Sequence, residues 1–271
     1  MAYNRRIHLF FGGKMARTIV VTSGKGGVGK STVVANLGIK LADMGERVVL
    51  VDFDFGLNNL SVVLNVKETP PFDISDVANH RCRVRQALVK IKGKPNLYLM
   101  TSDSKNCNCS ITGQSLRAII NNLADFFDYV LIDCPAGIDV GFCRAVSVAD
   151  EIIIVTNPHP SSIKDGKTVV ELLESFNPLG VYLVVNRSRG DLKVCGSVVD
   201  ELQIAKQLGV KLIGVLPEES DGFLNDNISQ ATKKAYKMLA DNVVTGKNNI
   251  YNTAVKYSGL IGGLRRLIKK I

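Results

Sequence analysis

The 271-residue sequence contains no run approaching the ~18 consecutive apolar residues of a bilayer-spanning helix, so no segment is expected to cross a membrane. Its opening residues lack the basic, apolar and small-residue order of a secretory signal, and the chain is expected to stay in the cytoplasm. A disulfide framework is not expected either. The six cysteines (Cys82, Cys107, Cys109, Cys134, Cys143 and Cys195) are unevenly spaced in a long chain and read as reduced thiols. Cys107 and Cys109 form a C-x-C pair, but no second Cys or His pair stands at ligand spacing, which argues against zinc. Internal repeats are absent.

What the sequence does have is apolar bulk and positive charge. At 46% hydrophobic residues it can bury one sizeable core, so one main domain is expected. A formal charge of +9 implies attraction to anionic surfaces, and membranes, nucleic acids and nucleotides would all satisfy that. The distribution says more than the total, because Arg265, Arg266, Lys269 and Lys270 cluster at the C-terminus while the body mixes both signs.

Short apolar runs recur along the body: RTIVVT at Arg17–Thr22, then Arg47–Val51, Tyr129–Ile132, Glu151–Val155, Val181–Val185 and Lys211–Val215. Continuous rather than alternating apolarity predicts strands buried on both faces, as in a parallel sheet between helical layers. Amphipathic segments at Lys30–Met44, Ser115–Phe127, Ser162–Phe176, Ser197–Leu208 and Gln230–Asp241 predict the helices. The polar stretch Thr245–Tyr257 reads as a linker to the last fifteen residues, and residues 1–15 as a tail or an upstream start.

The segment Gly24-Lys25-Gly26-Gly27-Val28-Gly29-Lys30-Ser31 fits G-x-x-x-x-G-K-[ST] and lies between a predicted strand and a predicted helix. Glycines allow backbone N–H groups to converge on phosphate oxygens, and the helix N-terminus adds partial positive charge. Lys30 is therefore expected to hold the β and γ phosphates of ATP, and Ser31 to ligate Mg²⁺. Asp52 and Asp54 follow the second strand, and Asp133 follows the strand YVLI. Carboxylates at the ends of parallel strands face the ligand crevice, where Mg²⁺ needs oxygen ligands.

The run KGGVGKST, Lys25 through Thr32, resembles the signature of the MinD/ParA family of deviant Walker A ATPases, which includes septum-site, partition and flagellar-number proteins. The resemblance extends over Ala16 to Ile271. It implies a three-layer P-loop NTPase fold with a mostly parallel central sheet and an ATPase domain over residues 16–244. By the same resemblance, Lys25 acts in trans on a partner's nucleotide in an ATP-dependent homodimer. Asp133, in Ile132-Asp133-Cys134-Pro135-Ala136-Gly137, corresponds to the Walker B aspartate. Asp54 corresponds to the switch I aspartate that positions the attacking water, with Asp52 nearer the metal. Asn186 corresponds to the residue that hydrogen-bonds adenine, and Pro217 and Glu218 to the loop closing over the base. Two departures stand out: Asn58 replaces a common arginine ahead of Asn59, and Lys167 replaces a commonly acidic position near Asp165.

In the last residues, Leu260, Ile261, Leu264, Leu267, Ile268 and Ile271 fall within roughly 120° of a helical wheel, opposite Arg265, Arg266, Lys269 and Lys270. This is the pattern of a helix lying at an anionic membrane surface. A basic terminal helix at this place resembles the septum-site branch of the family. That branch implies recruitment of a division inhibitor and an ATPase-activating partner, with no nucleic acid expected. A flagellar-number regulator and a DNA-binding partition ATPase are the rival readings.

Overall fold

In the computed structural model, residues 16–55, 59–67, 70–102, 111–219, 228–259 and 262 are described. The C-terminal helix expected from Leu260 to Ile271 and the pair Cys107 and Cys109 lie outside them, apart from Gly262.

The strands are β1 (Arg17–Thr22), β2 (Val48–Asp52), β3 (Leu88–Lys90), β4 (Leu97–Met100), β5 (Tyr129–Asp133), β6 (Glu151–Thr156), β7 (Gly180–Ser188) and β8 (Lys211–Pro217). They form one sheet in the order β3-β4-β2-β5-β1-β6-β7-β8. Every ladder is parallel except β3–β4. The helices are α1 (Lys30–Asp43), α2 (Asn59–Val63), α3 (Ile74–Ala78), α4 (Gly113–Ala124), α5 (Val140–Val146), α6 (Pro160–Leu173), α7 (Gly190–Val194), α8 (Glu201–Leu208) and α9 (Gln230–Thr245).

Alternate residues of each strand serve opposite layers, which is why the strands read as unbroken apolar runs. Ile19, Leu50 and Leu131 pack with Val33, Leu37 and Leu41 of α1 and Leu239 of α9. Val20, Val49 and Ile132 point the other way, onto Leu116 and Ile120 of α4, Phe142 of α5 and Val169 of α6. A third cluster joins Ile163 of α6 to Leu183, Ile204, Leu208 and Val215. The expected three-layer architecture is therefore the observed one.

Local boundaries follow capping chemistry. Thr112 starts α4 by accepting the Ser115 N–H at 3.1 Å. The helix expected from Ser197 begins only at Glu201, because the Asp200 carboxylate accepts the Leu202 N–H at 2.8 Å and so caps the helix there. The antiparallel edge β3 and its neighbour β4, together with α2, α3, α5 and α7, are too short for periodicity to announce.

The stretch expected as a linker lies against the body over part of its length. Asn242 donates to the carbonyls of Ile213 at 2.9 Å and Asn249 at 2.7 Å. It also accepts the Asn249 N–H at 3.0 Å. Further on, Thr253 is buried with its hydroxyl 3.0 Å from that of Ser188. A Cβ on Gly190 would sit 2.0 Å from the Thr253 carbonyl oxygen, so the strap fits only because that residue has no side chain.

Candidate nucleotide site

The carboxyl ends of β1, β2, β5, β7 and β8 converge on one edge of the sheet, and the phosphate loop leaves β1 there. Gly27 and Gly29 have φ of 77° and 92°, a left-handed backbone that residues with a Cβ adopt at a cost. Lys30 is the first residue of α1, so the loop amides and the helix N-terminus face the same space.

The loop is braced from three sides. Ser23, fully buried, donates its hydroxyl to the Lys25 carbonyl at 2.9 Å. On one flank a Cβ at Gly24 would lie 2.4 Å from the Asp165 carbonyl carbon, so α6 packs directly on the loop entry. On the other, Asn186 at the end of β7 donates its amide to the Val28 carbonyl at 2.8 Å. The Asn186 Nδ2 atom would be 2.4 Å from a Cβ on Gly29. Sequence reasoning placed Asn186 at the base of the nucleotide; here its amide holds the phosphate loop. Its expected neighbours Pro217 and Glu218 do lie beside it, with Pro217 opposite Ser188 in the β7–β8 ladder and the Glu218 N–H bonded to the Ser188 carbonyl at 3.1 Å.

Charge is concentrated at the mouth of the loop. The Lys30 ammonium is 2.7 Å from Asp133 Oδ1 and 3.9 Å from Asp54 Oδ2, with Lys30 and Asp133 both buried. Burial pushes the Asp133 carboxyl above the usual carboxylate range, and contacts with Lys30 and the Ser31 hydroxyl pull the other way. Asp133 Oδ2 is buried without a hydrogen-bond partner. An orphaned carboxylate oxygen beside Ser31 fits an Mg²⁺ ligand pair, because Mg²⁺ takes one or two protein oxygens and completes its shell with phosphate and water. Accordingly, no three His, Cys, Asp or Glu side chains converge on a closed metal cage among the described residues.

Both oxygens of Asp52 have backbone partners. Its Oδ1 accepts the Asp54 N–H at 3.1 Å and its Oδ2 the Leu60 N–H at 3.2 Å, so the carboxyl clamps both ends of the switch I turn. Burial, then the nearby Asp133 charge, push it up to about 7. Asp54 in turn accepts the Asn59 amide at 3.2 Å. Across the site, Gly137 has φ of 93° and donates its N–H to the Ser23 carbonyl at 3.2 Å, which ties the segment after Asp133, termed switch II below, to the same residue that braces the phosphate loop. Ser23 went unnoticed in the sequence, since a serine ahead of a glycine run has no distinguishing spacing.

Lys25 points out of the loop rather than into it. It is exposed, and its ammonium lies 3.3 Å from the Ser161 hydroxyl at the start of α6. Gly26 is exposed beside it, and Ser31 and Thr32 are half-buried in the first turn of α1.

Comparison with known proteins agrees with this geometry. A family model described as an AAA domain matches residues 16–179. The class defined by fold and loop is thus the P-loop ATPases. A septum site-determining protein MinD from Synechocystis is 42% identical over 79% of this chain and 80% of its own length. In the MinC:MinD cell division complex of Aquifex aeolicus, the matched chain superposes with a TM-score of 0.78 at 34% identity, covering 86% of this chain and 97% of that one. MinD of Pyrococcus horikoshii, solved with Mg-ADP, matches with a TM-score of 0.74 at 29% identity over 85% and 97% of the two chains. The chain belongs to the MinD family of septum site-determining ATPases.

Proposed function

We propose that this chain is an ATP-dependent dimerising ATPase that docks reversibly on the inner, anionic face of the cell membrane, recruits a division inhibitor and so positions the septum. The observation that carries the reading is the contrast between two lysines of one loop. Lys30 is buried among the carboxylates of its own site, whereas Lys25 is exposed and tethered to its own subunit by one hydroxyl. A cation so placed is available to a second copy. Apolar Ile138 and Val140, 50% and 64% exposed beside switch II, offer that copy a surface to cover.

Within the site, Lys30 transfers its charge from Asp133 to the β and γ phosphates. Ser31 and Asp133 hold Mg²⁺, which when bound neutralises charge developing on the transferred phosphoryl group. Asp54, oriented by Asn59, is placed to hold the attacking water, and Asp52 keeps the switch I turn in register. Lys25 of the partner subunit adds the second cation over the phosphates, so hydrolysis requires two chains. The C-terminal helix, weak singly, binds firmly as a pair, which couples dimerisation to the membrane. A protein that stimulates hydrolysis would then separate the subunits and release them.

The test is sedimentation of the full chain with vesicles containing anionic lipid, with ATP, ADP or no nucleotide. ATP-dependent pelleting that is lost on truncation after Tyr257 and in Lys25→Ala is expected. Equal pelleting of Lys25→Ala with ATP would remove the trans lysine, and ATP-independent pelleting would remove the coupling.

A further inference from the structure

A groove of about 1040 Å³ lies between α4 and the Val77–Gln86 segment and shares no residue with the nucleotide site. Its floor is apolar, including Val77, Ile119 and Phe126. One wall is the exposed stripe Gln114, Ala118 and Asn122 of α4, spaced four residues apart on one helical face and so straight for about 12 Å. The other wall carries Arg83 and Arg85, both exposed, and the Arg85 guanidinium is braced over the Phe126 ring at 3.9 Å from its centroid. No Asp or Glu lines the groove among the described residues. The nearest acid on α3, Asp76, is already paired with Arg81 at 2.8 Å.

We infer that this groove is a docking site for an acidic amphipathic helix of a protein partner. An uncharged helical wall lets a second helix approach closely, the floor accepts its apolar side chains, and the arginines meet its carboxylates along one rim. Charge selects the occupant. Residues 103–110 carry one Asp and one Lys and so bring no net negative charge. Residues 1–15 and 260–271 have basic but no acidic side chains, so the termini of a second copy are repelled. Among the described lining residues a nucleic acid would meet two arginines, with the Phe126 ring already covered by Arg85.

The probe is a fluorescein-labelled helical peptide of about 14 residues with glutamate on one face and leucine on the other. Its binding to the full chain is followed by anisotropy. Binding that weakens about tenfold or more in Arg83→Glu/Arg85→Glu, and again in Ala118→Trp, which fills the groove without touching the rim charge, is expected. A lysine-for-glutamate peptide should bind the charge-reversed protein better than the original. Equal affinity of wild type and Ala118→Trp would overturn the proposal. So would equal binding of a sequence-scrambled peptide, or tighter binding of oligo-dT than of the acidic helix. Both variants lie outside the nucleotide site and should keep the wild-type ATPase rate, so a folding defect would appear there while a groove defect would not.

Discussion

The bond from Asn186 to the Val28 carbonyl offers a direct test of how the phosphate loop is held. Asn186→Ala removes a donor from a site where both residues are buried, leaving the Val28 carbonyl without its partner. A hydrogen bond contributes about 1 kcal/mol net, and an acceptor left unsatisfied costs about 1–3 kcal/mol, so a loss near 2 kcal/mol is expected. For a chain of this size that corresponds to a fall in Tm of about 4–8 °C. Calorimetry in nucleotide-free buffer is the decisive assay, because a residue that served only the adenine ring would leave that melt unchanged. Gly29 supplies a second arm. Gly29→Ala strains a φ of 92° and drives a Cβ to 2.4 Å from Asn186 Nδ2. In the Asn186→Ala background the clash disappears and only the strain remains, so the two substitutions together should cost less than their sum. If Asn186→Ala melts within a degree of wild type and the pair is additive, the loop is not braced from β7.

Three further outcomes follow from the geometry. Lys30→Ala should abolish hydrolysis and destabilise the fold by about 3–5 kcal/mol, by leaving the buried Asp133 carboxylate unpaired. Asp133 is already raised by burial, and losing Lys30 raises it further. The neutral acid is then the favoured folded form, so stability is retained at acid pH and lost as pH rises through the folded-state pKa; urea melts at pH 5 and pH 8 read the difference. Gly190→Ala, which places a Cβ 2.0 Å from the Thr253 carbonyl oxygen, should lift the 249–257 strap and open it to limited proteolysis; an unchanged cleavage pattern would refute the docking. Iodoacetamide at pH 8 should label exposed Cys195 but not Cys134, which is buried with its thiol pushed up to about 12; peptide mapping with and without urea reads this.

Much of the fold was legible because a parallel sheet covered on both faces writes itself as apolar runs, and six of the eight strands carry one. The phosphate loop was legible for a different reason: backbone convergence on phosphate demands glycine at set positions, and side-chain chemistry demands Lys30 and Ser31. Strands β3 and β4 were not, since three and four residues at a sheet edge leave no periodicity. Ser23, and the direction in which the Asn186 amide points, depend on which loops lie across from them. No local pattern encodes that. The docked strap was misleading in sequence because its polar residues look solvated, while Asn249 and Thr253 in fact bond to Asn242 and Ser188.

These contacts tie three segments of the site into one mechanical unit. Ser23 uses its hydroxyl on the phosphate loop and its carbonyl on Gly137 of switch II, so neither segment can shift without straining the other. Asp52 holds both ends of switch I, and its strand β2 is in register with Asp133 of β5. Lys30 connects the two switches, reaching Asp133 at 2.7 Å and Asp54 at 3.9 Å. One ammonium cannot serve both carboxylates and a triphosphate at full strength. On the proposed reading, phosphate contact by Lys30 therefore releases Asp133 toward a divalent cation and Asp54 toward water in the same movement. On that reading, competition for the single buried ammonium of Lys30 sets the order of events in the site.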